Sequence, residues 1–594
     1  MLRFSYPGVY TREVSSGVRP IAAAPTSVTL FVGPTRAGID ARPIRLQSFE
    51  DFQRAFGGLS QTSNLSYSVL HFFGNGGGEA FVVRVPANGA LPARTALQQD
   101  GAAAMGLTVT ALGSGATGNH IFFEIDGFGL GANPFTPAHD RRLFNLTVRD
   151  GVTGRTERFG NLSTVAASAR FAPNVVNDPA TGSRLVSVAV APGANGPQMT
   201  GTIHRIGAAP AAGPAIAADG RCRLSIERRG PDGAIDPNLS VTNLAVTVFA
   251  AETARPTSPA ELANRLADAL NAAIRADGQA RTRLAGAEVE AQAVESGAFL
   301  RLRLSPPPAG AAAAPRAHDA TVVLGPPASG TSLITTYDLG TALASNPSRY
   351  QLGQPYAGGQ LTGAPQAGTD GDPNGQPSSD AFLAAVAALD GPNPFFNILC
   401  LPDLARARAD DPRTALHANA MTIYAEAARI CARKFAFLLI DPPPDVTDAG
   451  QAEAWRLNRF TFQSSHAAAF FPTIRVDDPL EPGAIRAHPP SGAIAGLMAR
   501  TDAQAGVWTA PAGATAALAG VYGPSVELSD AQQGLLNPVA INAIRRFPIY
   551  GSVNFGARTI DGSDAQGSEW KHIPVRRTAS FILRSLSEAL VTAV

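Results

Sequence analysis

The spacing of apolar residues divides the chain into regions of different character. Residues 26–95 and 350–594 contain continuous apolar runs separated by segments of helical periodicity, such as Phe395–Leu401, a helix predicted over 414–433, and Phe435–Ile440. A helix predicted over 451–465 and a strand predicted over Ala467–Val476 follow. Strands that are apolar on both faces and alternate with helices are typical of a parallel sheet covered by helices. The region between shows short alternating strands separated by Gly, Asn and Asp turns, which is typical of β-rich domains.

This pattern predicts a multidomain protein of the α/β plus β class, with one mainly parallel sheet built from both ends of the chain. The α/β domain comprises residues 26–95 and 350–594. The sequence between them predicts two inserted β-rich domains, at 96–205 and 206–349, flanked by Ala-, Pro- and Gly-rich stretches. Residues 1–25 are predicted to form an extended N-terminal arm.

The N-terminal arm has the pattern of an isolated strand. Apolar and polar residues alternate after the Pro-Gly pair, which disfavours a helix, in Tyr6-Pro7-Gly8-Val9-Tyr10-Thr11-Arg12-Glu13-Val14. An isolated strand leaves its backbone groups unpaired, so this segment needs the edge of a sheet. That sheet belongs either to a neighbouring copy or, if the segment is an ordinary first strand, to its own domain.

Two glycine-rich segments imitate nucleotide-binding motifs. Gly113–Gly118 satisfies G-x-G-x-x-G after a predicted strand, and Gly74–Gly78 contains four glycines. Nucleotide phosphates bind at the N-terminus of a helix that follows the glycines, and the phosphate loop also requires a following lysine. Because strand-like sequence follows both segments, we interpret both as turns.

Composition narrows the class of protein. Only 16% of the 594 residues are charged and 45% are hydrophobic, so we expect the chain to bury surface against copies or partners. The net charge of +1 gives no bulk attraction for nucleic acid or for an anionic membrane. The three cysteines are widely spaced and indicate buried thiols in a reducing compartment. No apolar run has the length of a signal peptide or a membrane span, which predicts cytoplasmic assembly without direct membrane insertion.

The best case for an enzyme is the carboxyl edge of the predicted parallel sheet, where such folds bind ligands. Four aspartates follow predicted strands there: Asp403, Asp441, Asp477 and Asp478. Ser464-Ser465-His466 adds a possible nucleophile and a possible base, but adjacency in the sequence does not indicate a catalytic triad. The sequence contains no G-x-S-x-G, no H-E-x-x-H and no Walker lysine. We therefore predict no catalytic activity, no cofactor and no metal.

Residues 535–580 carry the most specific signal. They read LLNPVAINAIRRFPIYGSVNFGARTIDGSDAQGSEWKHIPVRRTAS, in which Ile549, Val553 and Phe555 predict a strand and the end predicts an apolar-periodic helix. The ordered LNP, IN, IR, GAR, EW and RR elements resemble the signature of contractile phage tail sheath proteins. The opening YPGVYTREV and the block FFGNGGGEAFVVRV are similar to the same family. The resemblance covers 1–95 and 355–585 well and the middle poorly.

The resemblance implies a structural subunit of a phage tail or a related injection system. Such subunits polymerise as stacked sixfold rings around an inner tube and contract to drive the tube through a target envelope. The implied partners are further copies, the inner tube protein, and baseplate and tail terminator proteins. The α/β domain would then be the inner domain and the β-rich insertions the outer ones. The resemblance also implies that a neighbouring subunit receives the arm through Tyr6, Pro7, Gly8, Val9, Tyr10, Glu13 and Val14.

The same resemblance nominates contact residues nearer the C-terminus. Arg500, Asp502 and Trp508 lie in a region that packs toward the tube in the family, and Arg576 and Arg577 are candidates for pairing with carboxylates across subunits. Alternatives stay open for each of them. Trp508 could be a core residue, Arg500 to Asp502 a local turn with helix capping, and the arginine pair a solvated helix start.

One departure from the family bears on function. Sheath proteins normally continue well past the helix that begins near Arg577, whereas this sequence stops at Val594. We expect the closing region to be truncated here or supplied by another chain. The alternative functions are therefore a sheath-like terminator or specialised sheath component, and an α/β hydrolase with a defined pocket.

Overall fold

The computed structural model divides the chain into two compact units. It describes residues 22–131, 134–207, 218–228, 234–306, 320–337, 339, 341–354, 361–392, 394–408, 410–411, 413–562 and 567–591. The α/β unit consists of the described parts of Met1–Arg36, Ala41–Val85 and Pro377–Val594. The β-rich unit consists of Ala37–Asp40 and the described parts of Pro86–Gln376. The sequence prediction of a multidomain mixed α/β protein is confirmed.

The two parts of the α/β unit alternate strands and helices. The first part contains β1 (Thr29–Gly33), β2 (Ile44–Leu46), α1 (Phe49–Phe56), α2 (Asn64–Gly74) and β3 (Ala80–Arg84). The second part is numbered after the β-rich unit, which lies between the two in the chain.

The β-rich unit is built from short antiparallel strands with few helices. Its described elements are β4 (Pro92–Gln99), β5 (Ala102–Ser114), β6 (Ile121–Asp126), β7 (Leu143–Asp150), β8 (Thr156–Ser163), α3 (Ala172–Val176), β9 (Val186–Ala189), β10 (Thr202–Arg205), β11 (Gly220–Glu227), β12 (Val241–Phe249), α4 (Pro259–Ala276), α5 (Gly278–Leu284), β13 (Val289–Val294), β14 (Phe299–Leu304), β15 (Thr321–Gly325), β16 (Thr331–Ser332), α6 (Leu333–Thr336), β17 (Ala344–Ser345) and β18 (Tyr350–Gln351).

The second part of the α/β unit supplies the remaining strands of its main sheet. Its described elements are α7 (Ser379–Ala387), β19 (Ile398–Cys400), α8 (Ala420–Arg433), β20 (Phe437–Ile440), α9 (Ala449–Ala454), β21 (Ala467–Phe471), β22 (Ile474–Asp477), β23 (Ile485–His488), α10 (Ser491–Ala505), β24 (Gly523–Pro524), α11 (Asp530–Leu536), β25 (Ile541–Phe547), β26 (Gly551–Asn554) and α12 (Ile573–Val591).

The main sheet has eight strands in the order β2-β3-β1-β19-β20-β21-β25-β26. Its central pairs are parallel, and the two edge pairs, β2 with β3 and β25 with β26, are antiparallel. Successive side chains of a strand point to opposite faces, so Leu30 enters one apolar cluster and Phe31 the other. Both faces are covered by helices, which explains the continuous apolar runs.

Several predicted elements have different bounds. The helix predicted over 414–433 begins only at Ala420, and the helix predicted over 451–465 is α9 with a π-helical turn that ends at Arg459. Pro472, which lacks a backbone N–H, lies between β21 and β22, where one strand was predicted. The strand predicted around Ile549 is a hairpin, because Ile549 lies in the turn between β25 and β26.

The β-rich unit has two apolar clusters. One lies among β4 to β9 with β18, and the other among β11 to β15 with α4, α5 and α6. The division into two inserted domains at residue 205 stays a prediction. The glycine segments lead into strands, as predicted, since the segment ending at Gly118 passes through a 3₁₀ turn into β6 and the segment ending at Gly78 precedes β3.

Helices α2 and α10 approach each other through two glycines. A Cβ atom placed on Gly492 would lie 2.2 Å from the carbonyl oxygen of Ser68, and one on Gly496 would lie 2.4 Å from the carbonyl oxygen of Phe72. Real Cβ atoms do not come so close to backbone oxygen. The two helices can pack at this distance only because both positions lack a side chain.

We predict that Gly492→Ala lowers the free energy of unfolding by about 1–3 kcal/mol, because the added methyl group forces α2 and α10 apart. Denaturant unfolding monitored by circular dichroism measures this. Gly534→Ala in α11 is the matched control, because a Cβ atom there meets nothing within 4 Å. An equal effect of the two changes would contradict the close approach.

Candidate assembly surface

The described chain begins beside α12. The backbone N–H of Ala24 donates to the Ser585 hydroxyl at 3.0 Å, and Arg577 donates to the carbonyl oxygen of Thr26 at 3.1 Å. Asn397 fixes the next residues, because its amide donates to Pro25 and accepts from the N–H of Val28. The predicted arm residues Tyr6, Pro7, Gly8, Val9, Tyr10, Glu13 and Val14 lie outside the described residues, so their contact with a neighbour stays a prediction.

Arg577 and Asp502 form a buried ion pair inside the α/β unit. The two guanidinium nitrogens of Arg577 donate to the two carboxylate oxygens of Asp502 at 2.7 and 2.6 Å. Their side chains are only 5% and 4% exposed. A bidentate pair at this depth joins α12 to α10. Both groups therefore have a partner within their own chain.

Arg500 also makes its contacts within the unit. It lies near the end of α10 and donates to the carbonyl oxygens of Asn75 and Ala517. The Asn75 side chain accepts from the N–H of Ala519 at 2.7 Å. Arg500 thus joins the end of α2 to the loop that follows α10. Arg500 and Asp502 are both part of α10, and not of the local turn that was the alternative.

Trp508 and Arg576 lie nearer the surface. Trp508 is 66% exposed, so the alternative interpretation of a core tryptophan is wrong. The Arg576 guanidinium stacks over the ring of the exposed Trp570, with its carbon 3.7 Å from the ring centroid. Desolvation lowers the pKa of Arg576, although the nearby carboxylate of Asp561 acts in the opposite direction. The role of Trp508 and Arg576 as contacts with a tube or a subunit stays a prediction.

Helix α12 presents its apolar side to solvent. The buried residues include Arg577, Ser580, Arg584 and Ser585. The exposed large apolar residues of the helix are Val575, Ile582, Leu583 and Leu586. Residues three and four apart share a face of a helix, so this exposed set forms one apolar face. Apolar periodicity in the sequence signals the helix, but it would normally place these residues inward.

A second exposed apolar group lies at the end of the main sheet. Ile549 is 86% exposed in the turn of the β25–β26 hairpin, and the adjacent Tyr550 is also exposed. The rings of Phe547 and Phe555 lie 5.0 Å apart, and the Arg545 guanidinium covers both. This arrangement makes the base of the hairpin rigid while its tip remains exposed.

Two of the four aspartates that favoured an enzyme, Asp403 and Asp441, lie in the interior and bind helix N-termini. Asp403 accepts hydrogen bonds from the N–H groups of Asn64 and Leu65, both at 2.9 Å, at the start of α2. Asp441 accepts from the N–H of Ser491, the first residue of α10, at 3.0 Å. Burial raises the pKa of Asp403 to about 6 and that of Asp441 to about 7. Both side chains stabilise helix N-termini, where unpaired N–H groups favour a carboxylate.

The other two aspartates also have internal partners. Asp478 accepts from the Tyr67 hydroxyl and from Arg486, both at 2.7 Å. Asp477 is exposed and accepts from the Tyr522 hydroxyl at 3.0 Å. The four aspartates thus bind different partners, and they do not converge on one cavity wall that the structure describes.

The Ser-His neighbours do not form a catalytic pair in the described structure. The Nδ1 atom of His466 lies 3.0 Å from the carbonyl oxygen of Ala436, and its backbone N–H donates to the hydroxyl of Ser464. Among the described residues, no group of three or more His, Cys, Asp and Glu side chains has the arrangement needed to hold a metal ion. In the same part of the chain, no helix is long and apolar enough to span a membrane.

Residues 375–555 match the family model of the phage tail sheath protein central domain. This segment comprises β19 to β26 and α7 to α11. The match confirms the predicted relationship to the tail sheath family for this part of the chain. No curated protein matches the sequence.

Solved structures of sheath and baseplate assemblies are similar to parts of the chain. A chain of the anti-feeding prophage baseplate is 29% identical over 37% of this chain and 52% of its own length, with a TM-score of 0.27. A chain of the contracted sheath complex of the extracellular contractile injection system PVC is 30% identical over 29% of this chain and 46% of its own, with a TM-score of 0.25. A sheath tail protein from Listeria innocua is 9% identical over 96% of this chain and 78% of its own, with a TM-score of 0.41. The chain thus spans about half the length of the first two.

We predict that Arg577→Gln lowers the free energy of unfolding by about 3–5 kcal/mol, because it leaves the buried Asp502 carboxylate without its cation. The double change with Asp502→Asn should recover part of this loss, since both charges are then removed together. Denaturant unfolding of the three variants measures both effects. Arg408→Gln, which breaks an exposed pair with Asp410, is the control and should leave stability nearly unchanged.

We predict that Asp441→Asn weakens the pH dependence of stability. The folded chain binds a proton at Asp441 with a pKa of about 7, against an ordinary value of 3.8, so the free energy of unfolding falls as pH rises between these values. The fall between pH 5 and pH 8 should be smaller in the variant by about 2–3 kcal/mol.

The same unfolding titration contains an internal control. Burial lowers the pKa of His71, His417 and His488 to about 4. Their contribution to the free energy of unfolding is therefore lost as pH falls, whereas that of Asp441 is lost as pH rises. These histidines are present in both proteins and cancel in the difference. Parallel stability curves for Asp441→Asn and the parent would show that Asp441 is ionised in the folded chain throughout this range.

Proposed function

We propose that this chain, whose residues 375–555 carry the tail sheath central domain, is the repeating subunit of a contractile sheath. Subunits polymerise on a baseplate as stacked sixfold rings around an inner tube. Terminator proteins close the end of the resulting sheath. Contraction drives the tube through a target envelope. The match to the central domain is the observation that carries this proposal, because that segment supplies most of the main sheet and its helices.

The exposed apolar groups of the α/β unit support a role in assembly. The α12 face and the Ile549 tip place large apolar side chains in solvent, where a subunit without partners gains nothing from them. We assign these surfaces, together with Trp508, to contacts with further copies or with the inner tube. Of the predicted arm at residues 1–25, Ala24 and Pro25 bond within their own chain, and we assign residues 1–21 to a neighbouring subunit.

Contraction then follows from the rigidity of each subunit. The α2–α10 contact and the Arg577–Asp502 pair hold the helices of the α/β unit in one arrangement. Subunits of this kind change their contacts with neighbouring subunits by moving as rigid bodies, and each keeps its own fold. Burial of more apolar surface between subunits supplies the free energy, so the step needs no nucleotide.

A catalytic role has less support than assembly. The hydrolase alternative depended on carboxylates at the carboxyl edge of the sheet, and two of them, Asp403 and Asp441, bind the N–H groups of helix N-termini. A carboxylate committed to a helix N-terminus is not available to a substrate.

Negative-stain electron microscopy of the purified chain, alone and mixed with its tube protein, tests the proposed function. We expect hollow tubes or stacked rings in at least the mixture. Deletion of residues 1–21 should leave the fold intact and prevent long assemblies, because it removes the arm. Uniform small particles from the full chain under both conditions would refute the proposal.

We predict that Ile582→Ser combined with Leu586→Ser reduces assembly without lowering the stability of the subunit. Both side chains are exposed, so their replacement removes contact area between subunits but no core packing. Light scattering follows assembly, and thermal unfolding follows stability. Val152→Ser, at an exposed apolar position of the β-rich unit, is the matched control. Normal assembly of the double variant would exclude the α12 face from the interface.

A further inference from the structure

The β-rich unit contains a cavity that the assembly function does not explain. Its volume is about 410 Å³, within the range of small-molecule sites. One wall comes from Asp126 at the end of β6 and from Leu143 and Phe144 at the start of β7. The opposite wall comes from Met199, just before β10, and from β17. The cavity thus lies between the β6–β7 pair and the segments that form the β10–β17 pair.

A buried arginine fixes the position of these walls. Arg301 of β14 donates to the carbonyl oxygen and the hydroxyl of Thr200, both at 3.0 Å, and lies 3.7 Å from the carboxylate of Asp126. Thr200 in turn hydrogen-bonds to Ile125 of β6. Desolvation lowers the pKa of Arg301 to about 10, so the guanidinium remains charged at neutral pH. The side chain joins β14, β6 and the segment before β10 at one point.

A second ionic contact joins the same strands farther from the cavity. Glu124 of β6 pairs with Arg349 at 3.2 Å and with Arg303 of β14. Burial acts to raise the pKa of Glu124, but the two arginines more than offset it and hold the pKa below its ordinary value. Buried charges of this kind are costly to separate. The walls of the cavity are therefore held in place before any ligand arrives.

The lining combines neutral hydrogen-bonding groups with apolar surface. Gln198, Asn346 and Ser345 supply amide and hydroxyl groups, which both donate and accept hydrogen bonds. The Asn346 amide is oriented by a bond to the carbonyl oxygen of Met199 at 2.7 Å. Phe135 adds an aromatic wall, held by the ring of Phe299 at 5.0 Å.

His139 is a further polar group of the lining. Its side chain is buried, with the residue 8% exposed, and its Nδ1 atom has no hydrogen-bond partner among the described residues. That atom is also inaccessible to a molecule the size of water, so a ligand in the cavity does not reach it. The case for a binding site therefore depends on the volume and on the other lining groups.

The charges of the lining exclude other ligand classes. The Asp100 carboxylate lies 3.6 Å from Arg141 and the Asp126 carboxylate lies 3.7 Å from Arg301, so the site has no excess positive charge to attract phosphates or nucleotides. The acidic and amide groups disfavour an acyl chain. A sugar ring fits both features, because its hydroxyl groups donate and accept while its C–H face packs on an aromatic ring.

We propose that this cavity binds a neutral hexose or N-acetylhexosamine, free or at the end of a glycan. Hydroxyl groups of the sugar bond to Gln198, Asn346 and Asp126, and its apolar face packs on Phe135. The site belongs to the β-rich unit and does not depend on polymerisation, so it goes beyond the proposed sheath function.

Isothermal titration calorimetry and saturation-transfer NMR of the full chain test this proposal. The probes are the methyl glycosides of glucose, galactose and N-acetylglucosamine at up to about 10 mM, which detects millimolar affinity. We expect at least one of them to bind, and Gln198→Trp, which fills the cavity, to weaken that binding by at least about tenfold. Gln198→Ala should weaken it less, and it replaces the tryptophan variant if that variant fails to fold.

Gln292→Trp is the matched control, because Gln292 is an exposed residue of β13 outside the cavity. This variant should bind the sugar as the parent does. Failure of all three glycosides to bind, or binding that Gln198→Trp leaves unchanged, would overturn the proposal. Neither result bears on the sheath function, which electron microscopy tests separately.

Discussion

The α/β unit depends on one constraint, which is that a carboxylate removed from water needs hydrogen-bond donors. Asp403 and Asp441 follow adjacent parallel strands and lie in the interior, and each accepts from the N–H groups at the start of a helix. These bonds fix the N-termini of α2 and α10 against the edge of the sheet. Gly492 and Gly496 then allow the two helices to pack backbone against backbone. A shift of either helix would leave a buried carboxyl group without its hydrogen-bond donors.

The same constraint explains why α12 presents its apolar side to solvent. Arg577 must face inward, because Asp502 is buried and needs a cation, and Ser585 is occupied by the N–H of Ala24. Once these polar groups are fixed inside, the opposite face of the helix, with Ile582 and Leu586, is left outside. Several polar residues of this helix thus serve the fold, as does the buried Ile573, while its later large apolar residues Ile582, Leu583 and Leu586 remain exposed.

The sequence allowed prediction of the sheet but not of the surface. Continuous apolar runs predicted parallel strands, since β20 and β21 are buried along their whole length. The predicted helix bounds were less accurate where the start of a helix depends on tertiary contacts, as it does for α8 at Ala420. The resemblance suggested that Arg577 pairs with a carboxylate across subunits, whereas its partner in the structure is Asp502 of the same chain. Asp502 lies far away in the sequence, and only the packing of α12 on α10 brings the two together.

These contacts bear on how a subunit of the proposed sheath would work. Rearranging the contacts between subunits releases free energy only if the subunits move relative to one another before their own folds deform. Separating Asp502 from Arg577, or α2 from α10, exposes charge or breaks close packing, so deformation inside the α/β unit is costly. Apolar contacts through Ile549 or Ile582 involve no buried charge and can form and re-form with different partners. The division between a rigid, polar-tethered interior and an apolar exterior therefore directs any rearrangement to the surfaces between subunits.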